Sequence, residues 1–281
     1  MRLFQRALCL LLALAALTAL WGCGASAAPA APSGKSPYGV FLGMEPKQAL
    51  TIGRYAAVVV DAAEFSKAQI AALHKKADAV YSYLDVGSLE DYRPYYQRFK
   101  HLSLGKYSGW KGEYWADVSD ADWQTYLTQT LAPALKQKGV DGLFLDNFDV
   151  YGEYPREKIY QGLLSVLRGL RAQNLPVILN GGDAFVVKSL KRGDLKGLAA
   201  GVNQESVFTA DADGSGMTAR AQDADTSAYY RRYLTRCAKA GLEVYVIEYG
   251  ASGALRKKAA SYCARRGWDC WFAKSQNLDS E

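Results

Sequence analysis

The sequence predicts a single-domain α/β protein with the (β/α)8 architecture of a TIM-type barrel, and three observations support this prediction. Short apolar runs alternate with amphipathic stretches about eight times, which is typical of parallel strands joined by helices. About 240 residues follow the N-terminal targeting segment, an ordinary length for such a barrel. A doubly wound open sheet is the alternative, but no Gly-x-Gly-x-x-Gly turn follows an early strand.

The predicted strands are eight apolar runs. They cover residues 38–42, 57–60, 79–84, 101–104, 143–145, 177–179, 201–203 and 244–247. In the fifth run, three apolar residues follow one another without a polar one, which indicates a strand covered on both faces. Among the helices between these runs, one is predicted to start at Ser119, one at Pro155, and two cover residues 226–240 and 252–266.

The N-terminus resembles a bacterial lipoprotein signal peptide. Arg2 and Arg6 precede an apolar stretch, residues 7–20, that is too short for a comfortable membrane span. The sequence Leu20-Trp21-Gly22-Cys23 then resembles a lipoprotein cleavage box, in which Cys23 becomes the lipidated first residue. The alternative is an ordinary secreted protein that is cut a few residues later, in Ala-Ser-Ala-Ala.

The domain division follows from this assignment. Residues 1–22 are predicted to be a signal peptide, residues 23–37 a flexible tether rich in Gly, Ala, Ser and Pro, and residues 38–275 the barrel. The protein is therefore expected outside the cytoplasm, anchored by lipid to a bacterial membrane. Gly24 is not an inner-membrane retention Asp, so the expected place is the outer membrane and periplasm or the cell surface.

Composition and charge disfavour some partners. The formal net charge of +6 includes Arg2 and Arg6, and no basic run is interleaved with aromatic residues, so nucleic acid is not a predicted partner. The 19 Tyr and 6 Trp residues belong in large part to the core, and their functional interpretation is as platforms for stacking sugars. The membrane is expected to be contacted through the lipid anchor alone, and the chain is expected to be a monomer.

Three cysteines lie in the predicted domain, namely Cys237, Cys263 and Cys270. An oxidising location favours one disulfide with one thiol left over. Spacing alone does not choose between a Cys263–Cys270 and a Cys237–Cys263 pair. No Cys-x-x-Cys is present and the chain has only 2 histidines, so neither a metal site nor a cofactor is predicted.

Polar and aromatic side chains gather where the predicted strands end. Because the carboxyl ends of the strands meet at one rim of a barrel, we expect these side chains to surround one mouth. The candidates for substrate contact are Asp61, Tyr83, Asp85, Trp110, Trp115, Asn147, Asp149, Asn180, Gln204, Glu248 and Tyr249. Asp146 and Glu205 are the candidates for acid–base catalysis. The alternatives are a helix cap at Asp146 and a solvated loop acid at Glu205.

The positions of the two histidines narrow the chemistry. His74 lies in an Ala- and Lys-rich helical pattern, and His101 begins a predicted strand, so neither is placed for a Ser–His or Cys–His pair. Two carboxylates at a barrel mouth with Trp and Tyr nearby are typical of a glycosidase. One acid protonates the leaving oxygen, and the other attacks the anomeric carbon or activates water.

At this point the motifs resemble a known family. Residues 141–149, Asp-Gly-Leu-Phe-Leu-Asp-Asn-Phe-Asp, are similar to the Asp-Gly-x-x-x-Asp-Asn-x-Asp signature of the endo-α-1,4-polygalactosaminidases, glycoside hydrolase family 114. Hydrolase domains that act on the Pel biofilm polysaccharide are related to this family. Further matching segments follow in the family's order, namely residues 83–87, 90–93, 110–117, 180–181 and 203–208.

The resemblance implies an endo-glycosidase with Asp146 as nucleophile, Glu205 as general acid/base and retention of configuration. It also implies a substrate of partly deacetylated α-1,4-linked galactosamine chains. Asp85 and Glu248 depart from the family's pattern, so the resemblance does not define the innermost sugar site. Two alternatives stay open: a non-catalytic lipoprotein that binds such a polymer, and a barrel hydrolase that acts on another glycan.

Overall fold

The computed structural model of the protein describes residues 36–281, which contain thirteen strands. In chain order the strands are β1 (Ser36–Phe41), β2 (Tyr55–Val60), β3 (Ala77–Asp85), β4 (Ser88–Glu90), β5 (Ser103–Lys106), β6 (Glu113–Ala116), β7 (Gly142–Asp146), β8 (Val177–Asn180), β9 (Gly201–Glu205), β10 (Thr209–Asp211), β11 (Ala219–Ala221), β12 (Glu243–Tyr249) and β13 (Asp269–Ala273). The signal peptide, Cys23 and nearly all of the tether that the sequence predicts lie outside the described residues.

Helices connect most of the long strands. They are α1 (Pro46–Ala49), α2 (Lys67–Leu73), α3 (Tyr96–Phe99), α4 (Ala121–Tyr126), α5 (Ala132–Lys138), α6 (Val150–Glu153), α7 (Glu157–Ala172), α8 (Asp183–Arg192), α9 (Ala224–Lys239) and α10 (Gly253–Arg266). A 3-10 turn (Lys100–Leu102) follows α3, and a π-helical stretch (Leu127–Leu131) joins α4 to α5.

Eight of the strands form one parallel sheet in the order β1-β2-β3-β7-β8-β9-β12-β13. Strands β1 and β13 lie side by side, with the Phe41 and Trp271 rings 5.2 Å apart between centroids. The Gly43 N–H donates to the Leu278 carbonyl oxygen at 3.3 Å just beyond them. The sheet is therefore a nearly closed barrel with alternating helices, and the predicted fold class is confirmed.

One predicted barrel strand is wrong, and one barrel strand was missed. Residues 101–104 do not enter the barrel, because they divide between the 3-10 turn and β5, which belongs to a small antiparallel sheet of order β4-β6-β5. The eighth barrel strand is β13, which the apolar pattern did not reveal because it begins with an acid and is only partly buried. The small sheet is an excursion between β3 and α4 that rises beside the mouth.

The core lies inside the barrel and between the barrel and its helices. Strand β2 buries Val58, Val59 and Val60 completely, as expected for a strand covered on both faces. Helix α7 turns one stripe inward, and Leu163 and Leu167 on that stripe are fully buried. Each such leucine contributes about 1.5–3 kcal/mol of transfer free energy relative to an exposed side chain.

The predicted helix starts are correct to within about two residues. Helix α4 is capped by Asp120 rather than by Ser119, since the Asp120 carboxylate accepts the Trp123 N–H at 2.9 Å. Helix α7 begins at Glu157, two residues after Pro155. Residues 34–281 form one compact unit with its own core, slightly wider than the predicted domain.

The predicted disulfide is not present in the structure. Cys237, Cys263 and Cys270 are all free thiols. Cys263 and Cys270 are hydrogen-bond neighbours, and this contact together with burial raises the pKa of Cys270. Cys237 lies apart from them, beside Tyr233. Of the pairings that the sequence left open, the fold therefore brings Cys263 and Cys270 together. Among residues 36–281, no helix combines the length and the apolar character needed to cross a membrane.

Candidate active site

A cavity of about 640 Å³ opens at the carboxyl ends of the barrel strands. The structure brings together ten of the predicted site residues in its wall, namely Asp61, Tyr83, Trp110, Asp146, Asn147, Asp149, Asn180, Gln204, Glu205 and Tyr249. They come from six barrel strands, β2, β3, β7, β8, β9 and β12, and from the segments that follow them. This is where (β/α)8 barrels carry their chemistry.

Asp146 and Glu205 lie together at the floor of this cavity. The side-chain nitrogen of Asn180 donates to the Asp146 Oδ1 at 2.9 Å and to the Glu205 Oε1 at 2.9 Å. Two oxygens at that distance from one nitrogen lie at most twice that distance apart. The three residues end β7, β8 and β9, three neighbouring strands, so the barrel itself sets the spacing of the carboxyl groups.

Further hydrogen bonds hold the orientation of each acid. The Asp146 Oδ1 also accepts the backbone N–H of Asn147 at 2.8 Å, and the Glu205 Oε2 accepts the Tyr249 hydroxyl at 2.8 Å. Each acid is followed by a residue in the left-handed region, Asn147 at φ 62° and Ser206 at φ 54°. Such conformations cost about 1–3 kcal/mol each and cluster at functional sites.

Asn203, which the sequence did not mark as a site residue, fixes the amide of Asn180. Its side-chain N–H donates to the Asn180 Oδ1 at 2.6 Å, and Asn203 itself is fully buried. Because the Asn180 oxygen is occupied by this donor, its nitrogen must point at Asp146 and Glu205. The signal that could have marked Asn203 as a site residue is its place at the end of a predicted strand.

Burial dominates the electrostatics of Asp146. Burial and then the charges of Asp85 and Glu205 raise the pKa of Asp146 well above its usual value, although the hydrogen bonds from Asn147 and Asn180 lower it. Asp146 therefore ionises at a higher pH than an exposed aspartate does. Glycoside cleavage needs one ionised and one protonated carboxyl group, and two carboxyl groups this close do not both ionise readily.

A second carboxyl pair consists of Glu113, which lines the cavity, and Asp85, which is buried behind it. The Asn147 side-chain nitrogen donates to the Glu113 Oε1 at 2.7 Å and to the Asp85 Oδ2 at 3.0 Å. Ser88 also bonds to both carboxyl groups. Burial raises the pKa of Asp85 well above its usual value and also raises the pKa of Glu113, so both groups ionise less readily than exposed carboxyl groups do.

Three predicted contact residues do not line the cavity. Asp85 is 1% exposed and belongs to the second carboxyl pair, and Trp115 is 7% exposed and packs on Tyr107, with ring centroids 4.5 Å apart. Glu248 is fully buried and accepts the backbone N–H groups of Phe208 and Thr209 at 2.9 and 2.8 Å. Burial raises the pKa of Glu248 to about 7. These side chains support the mouth from behind, and the prediction of direct contact is corrected for all three.

Charged and aromatic groups complete the wall. Arg93 bonds the Glu90 carboxylate at 2.6 Å and the Asp61 carboxylate at 2.8 Å. Trp110 stands at the rim with 52% of its surface exposed. The sequence did not mark several other lining residues as contacts, among them Tyr92, Tyr107, Glu113 and residues 276–279, the last of which follow a strand that the pattern missed. Within residues 36–281, no cluster of His, Cys, Asp or Glu is arranged to hold a metal ion.

Comparison with known proteins identifies the family. The sequence profile described as glycoside-hydrolase family GH114 matches residues 23–280. This chain belongs to that family. It is accordingly a glycoside hydrolase, and the predicted enzyme class is confirmed. An uncharacterised protein of Deinococcus radiodurans is 26% identical over 197 residues, which cover 66% of this chain and 61% of that protein. The GH114 chain thus spans less than two thirds of that relative's length.

Solved structures share the fold. The glycoside hydrolase domain of PelA from Pseudomonas aeruginosa is similar with a TM-score of 0.68 and 21% identity, over 87% of this chain and 96% of that one. Ega3 from Aspergillus fumigatus, in a complex with galactosamine, is similar with a TM-score of 0.68 and 17% identity, over 89% of this chain and 94% of that one. The α-galactosidase TtGalA from Thermus thermophilus is more distant, with a TM-score of 0.56 and 12% identity, over 88% of this chain and 63% of that one.

Proposed function

We propose that this GH114 protein is an exported endo-hydrolase that cleaves α-1,4-linked polymers of galactosamine and N-acetylgalactosamine, such as a Pel-like biofilm polysaccharide. The observation that carries the proposal is the pair of carboxyl groups, Asp146 and Glu205, joined through one Asn180 nitrogen at the floor of the cavity. The binding of galactosamine by Ega3, which has a similar fold, supports this class of substrate.

The charge of the mouth supports a cationic substrate. Seven carboxyl groups line the cavity against two cations, Arg93 and Lys111, so the local field is negative although the whole chain is formally positive. Free amino groups of a partly deacetylated polymer carry positive charge at neutral pH and are attracted to such a field. The exposed rings of Tyr92 and Trp110 stand at the rim, where they can stack on sugars further along a chain.

The proposed reaction retains configuration. The shared Asn180 nitrogen sets an upper limit on the distance between the nearest oxygens of Asp146 and Glu205. This limit agrees with the separation of about 5–5.5 Å between the carboxyl groups of retaining enzymes. It is shorter than the separation of about 6.5–9.5 Å in inverting enzymes. Ionised Asp146 attacks the anomeric carbon while Glu205 gives its proton to the leaving glycosidic oxygen. Glu205 then takes a proton from water, which displaces Asp146 from the glycosyl ester and restores the starting state.

The substrate proposal is tested with purified protein that begins at Gly34. It is incubated with a galactosamine-rich exopolysaccharide, and the released oligomers are identified by mass spectrometry. The expected products are short oligomers of mixed length, as an endo-enzyme gives. Fully acetylated polymer and a neutral galactan serve as parallel substrates. Tight binding of the galactosamine polymer without any cleavage would favour the non-catalytic alternative, and cleavage of the galactan alone would favour another glycan.

Export and lipid anchoring are part of the same proposal and rest on the Leu20-Trp21-Gly22-Cys23 sequence. The expected location is a bacterial outer membrane or cell surface. Replacement Cys23→Ser is expected to release the protein from the membrane fraction or leave it unprocessed. The measurement is membrane fractionation together with the intact mass of the protein. A Cys23→Ser variant that still carries acyl mass would contradict the anchor.

A further inference from the structure

A groove between α9 and α10, outside the active-site cavity, is lined by cations. Two adjoining hollows of about 420 and 260 Å³ share Arg231 and Tyr262, and neither has an Asp or Glu in its wall. We call this surface the basic groove. Its cationic residues are Arg231, Arg232, Lys258, Arg265 and Arg266. None of them lines the catalytic mouth.

These cations belong to two helices that carry a large excess of positive charge. Helices α9 and α10 carry nine Lys and Arg side chains against one acid, Asp225. This surplus exceeds the formal net charge of the whole chain, +6. In the described part of the chain, none of the nine takes part in an ion pair. The two helices therefore concentrate positive charge that the rest of the fold does not neutralise.

The stability of the two helices explains only some of these cations. The helix dipole favours cations in the last turn, where Arg236, Lys239, Arg265 and Arg266 lie. It does not favour Arg231, Arg232 and Lys258, which lie well inside their helices. Clustered like charges destabilise the folded state unless an anion is present. The cluster is also ordered, because Arg231 and Arg266 stack on the Tyr262 ring at 5.5 and 5.0 Å.

The guanidinium groups indicate the chemistry of the missing anion. Arginine presents paired N–H donors in a planar fork that matches phosphate oxygens. Ser227 adds a hydroxyl group to the wall of the groove, whereas the Thr235 hydroxyl donates to the Arg231 carbonyl oxygen and accepts from Arg266. Two aromatic rings line the groove. Phe208 is buried, and Tyr262 is half-buried and already covered by two guanidinium groups, so neither offers a platform for stacking bases. Phosphate groups on a surface fit this arrangement better than a nucleic-acid strand.

The position of the groove relative to the proposed lipid anchor indicates which surface this is. From Cys23 to Ser36 the chain spans at most roughly 45 Å, about one diameter of a domain this size. The tether enters β1 at the amino end of the barrel, and β1 lies beside β13, the strand that follows α10. Since helices run opposite to the strands in a parallel barrel, the last turns of α9 and α10 lie at that same end. From there the groove runs along the side of the barrel toward Phe208, which follows β9 at the mouth end.

We propose that the basic groove binds phosphate headgroups of the anionic membrane to which the protein is anchored. Docking through this side lays the barrel along the bilayer and leaves the acidic mouth, at one end of the barrel, open to a polymer outside it. The inference goes beyond the proposed function, and it uses the proposed anchor only to choose between phosphate-bearing surfaces.

The test uses protein that begins at Gly34, which lacks the lipid and forms one compact unit. It is sedimented with vesicles of phosphatidylglycerol and phosphatidylcholine, and with vesicles of phosphatidylcholine alone. Binding is expected only with phosphatidylglycerol, and it should weaken steeply as salt is raised. The triple variant Arg232→Glu, Lys258→Glu, Arg265→Glu is expected to lose at least about tenfold in vesicle affinity. Its hydrolytic activity on soluble polymer should not change.

A matched variant controls for the change in total charge. Lys47→Glu, Lys67→Glu, Lys75→Glu alters three exposed lysines away from the groove by the same amount. This control is expected to keep at least half of the vesicle affinity. Equal losses in the two triple variants would overturn the proposal. Binding to duplex DNA that the groove variant abolishes, without binding to anionic vesicles, would overturn it in favour of nucleic acid. Neither result would affect the assignment of the hydrolase site.

Discussion

The two carboxyl pairs of the mouth are built alike and are exposed differently. In each pair a single asparagine nitrogen contacts both acids, Asn180 between Asp146 and Glu205, and Asn147 between Asp85 and Glu113. The first pair faces open space at the floor of the cavity. Asp85 is 1% exposed and has a serine hydroxyl against it. The same local chemistry therefore gives a reacting pair in which both acids line the cavity and a supporting pair in which Asp85 is closed off from it.

The largest expected effect is from the amide replacements Asp146→Asn and Glu205→Gln. Each keeps the shape of the side chain but removes the nucleophilic charge or the transferable proton, so kcat should fall by about a thousandfold or more. Thermal unfolding and polymer binding should stay close to wild type. The measurement is the release of reducing ends from galactosamine polymer, with binding followed by calorimetry. Near-normal cleavage by either variant would break the distinction between the two pairs.

A smaller loss is expected when the bridging amide is removed by Asn180→Ala. The Asn180 hydrogen bond lowers the pKa of Asp146, so its loss should raise that pKa further. Because the reaction needs ionised Asp146, the acidic limb of the kcat/KM profile should move to higher pH. We expect a fall of about 10- to 100-fold in kcat at neutral pH, in the range typical of a lost positioning contact. An unshifted acidic limb would contradict the role given to Asn180.

Asp85→Asn tests the supporting pair with the same chemical change as Asp146→Asn. An asparagine at this position keeps the shape of the side chain and can donate to Glu113, so activity should stay within about tenfold of wild type. The lost acceptor for Ser88 or Asn147 should lower the free energy of unfolding by about 1–3 kcal/mol. Urea denaturation and kcat are the two measurements. A loss of activity as large as that of Asp146→Asn would show that the two pairs are not distinct.

The smallest effect concerns Glu248, a buried acid that belongs to neither pair. Its pKa rises from its usual 4.5 to about 7 on folding. The folded state therefore binds more protons between these values, and stability falls as pH rises through that window. The loss amounts to about 3 kcal/mol at most, from 1.36 kcal/mol per pKa unit. Glu248→Gln should remove this part of the pH dependence, measured by urea denaturation at pH 4.5 and pH 8. An equal change in the free energy of unfolding between the two pH values in wild type and Glu248→Gln would contradict this role of Glu248.

The sequence was informative about the mouth because of a general property of parallel barrels. Strand ends collect at one rim, so Asp146, Asn180 and Glu205 could be placed together without knowledge of any contact. The sequence pattern was less informative about which way each side chain points. Successive side chains on a strand point to opposite sides, so only one of Glu248 and Tyr249 reaches the cavity, and it is Tyr249. Polar residue type alone does not tell which.

The excursion between β3 and α4 explains most of the other errors. Its short antiparallel strands contain an apolar run at residues 101–104 that resembles a barrel strand, although it pairs only with β6. Trp115 was therefore expected in a barrel loop and is instead packed within the small sheet. The true last strand, β13, lies outside the matching motifs, so the contribution of residues 276–279 to the cavity could not be anticipated.

The central claim, that Asp146 and Glu205 are the reacting pair, is tested most directly by trapping the intermediate. Glu205→Gln is incubated with a galactosaminide that carries a good leaving group, since such a substrate needs no acid for the first step. Without Glu205 to activate water, the glycosyl ester should accumulate. Peptide mass spectrometry is expected to find the sugar on the peptide that contains Asp146. A sugar attached to a different carboxylate, or cleavage with inverted configuration and no adduct, would contradict the account.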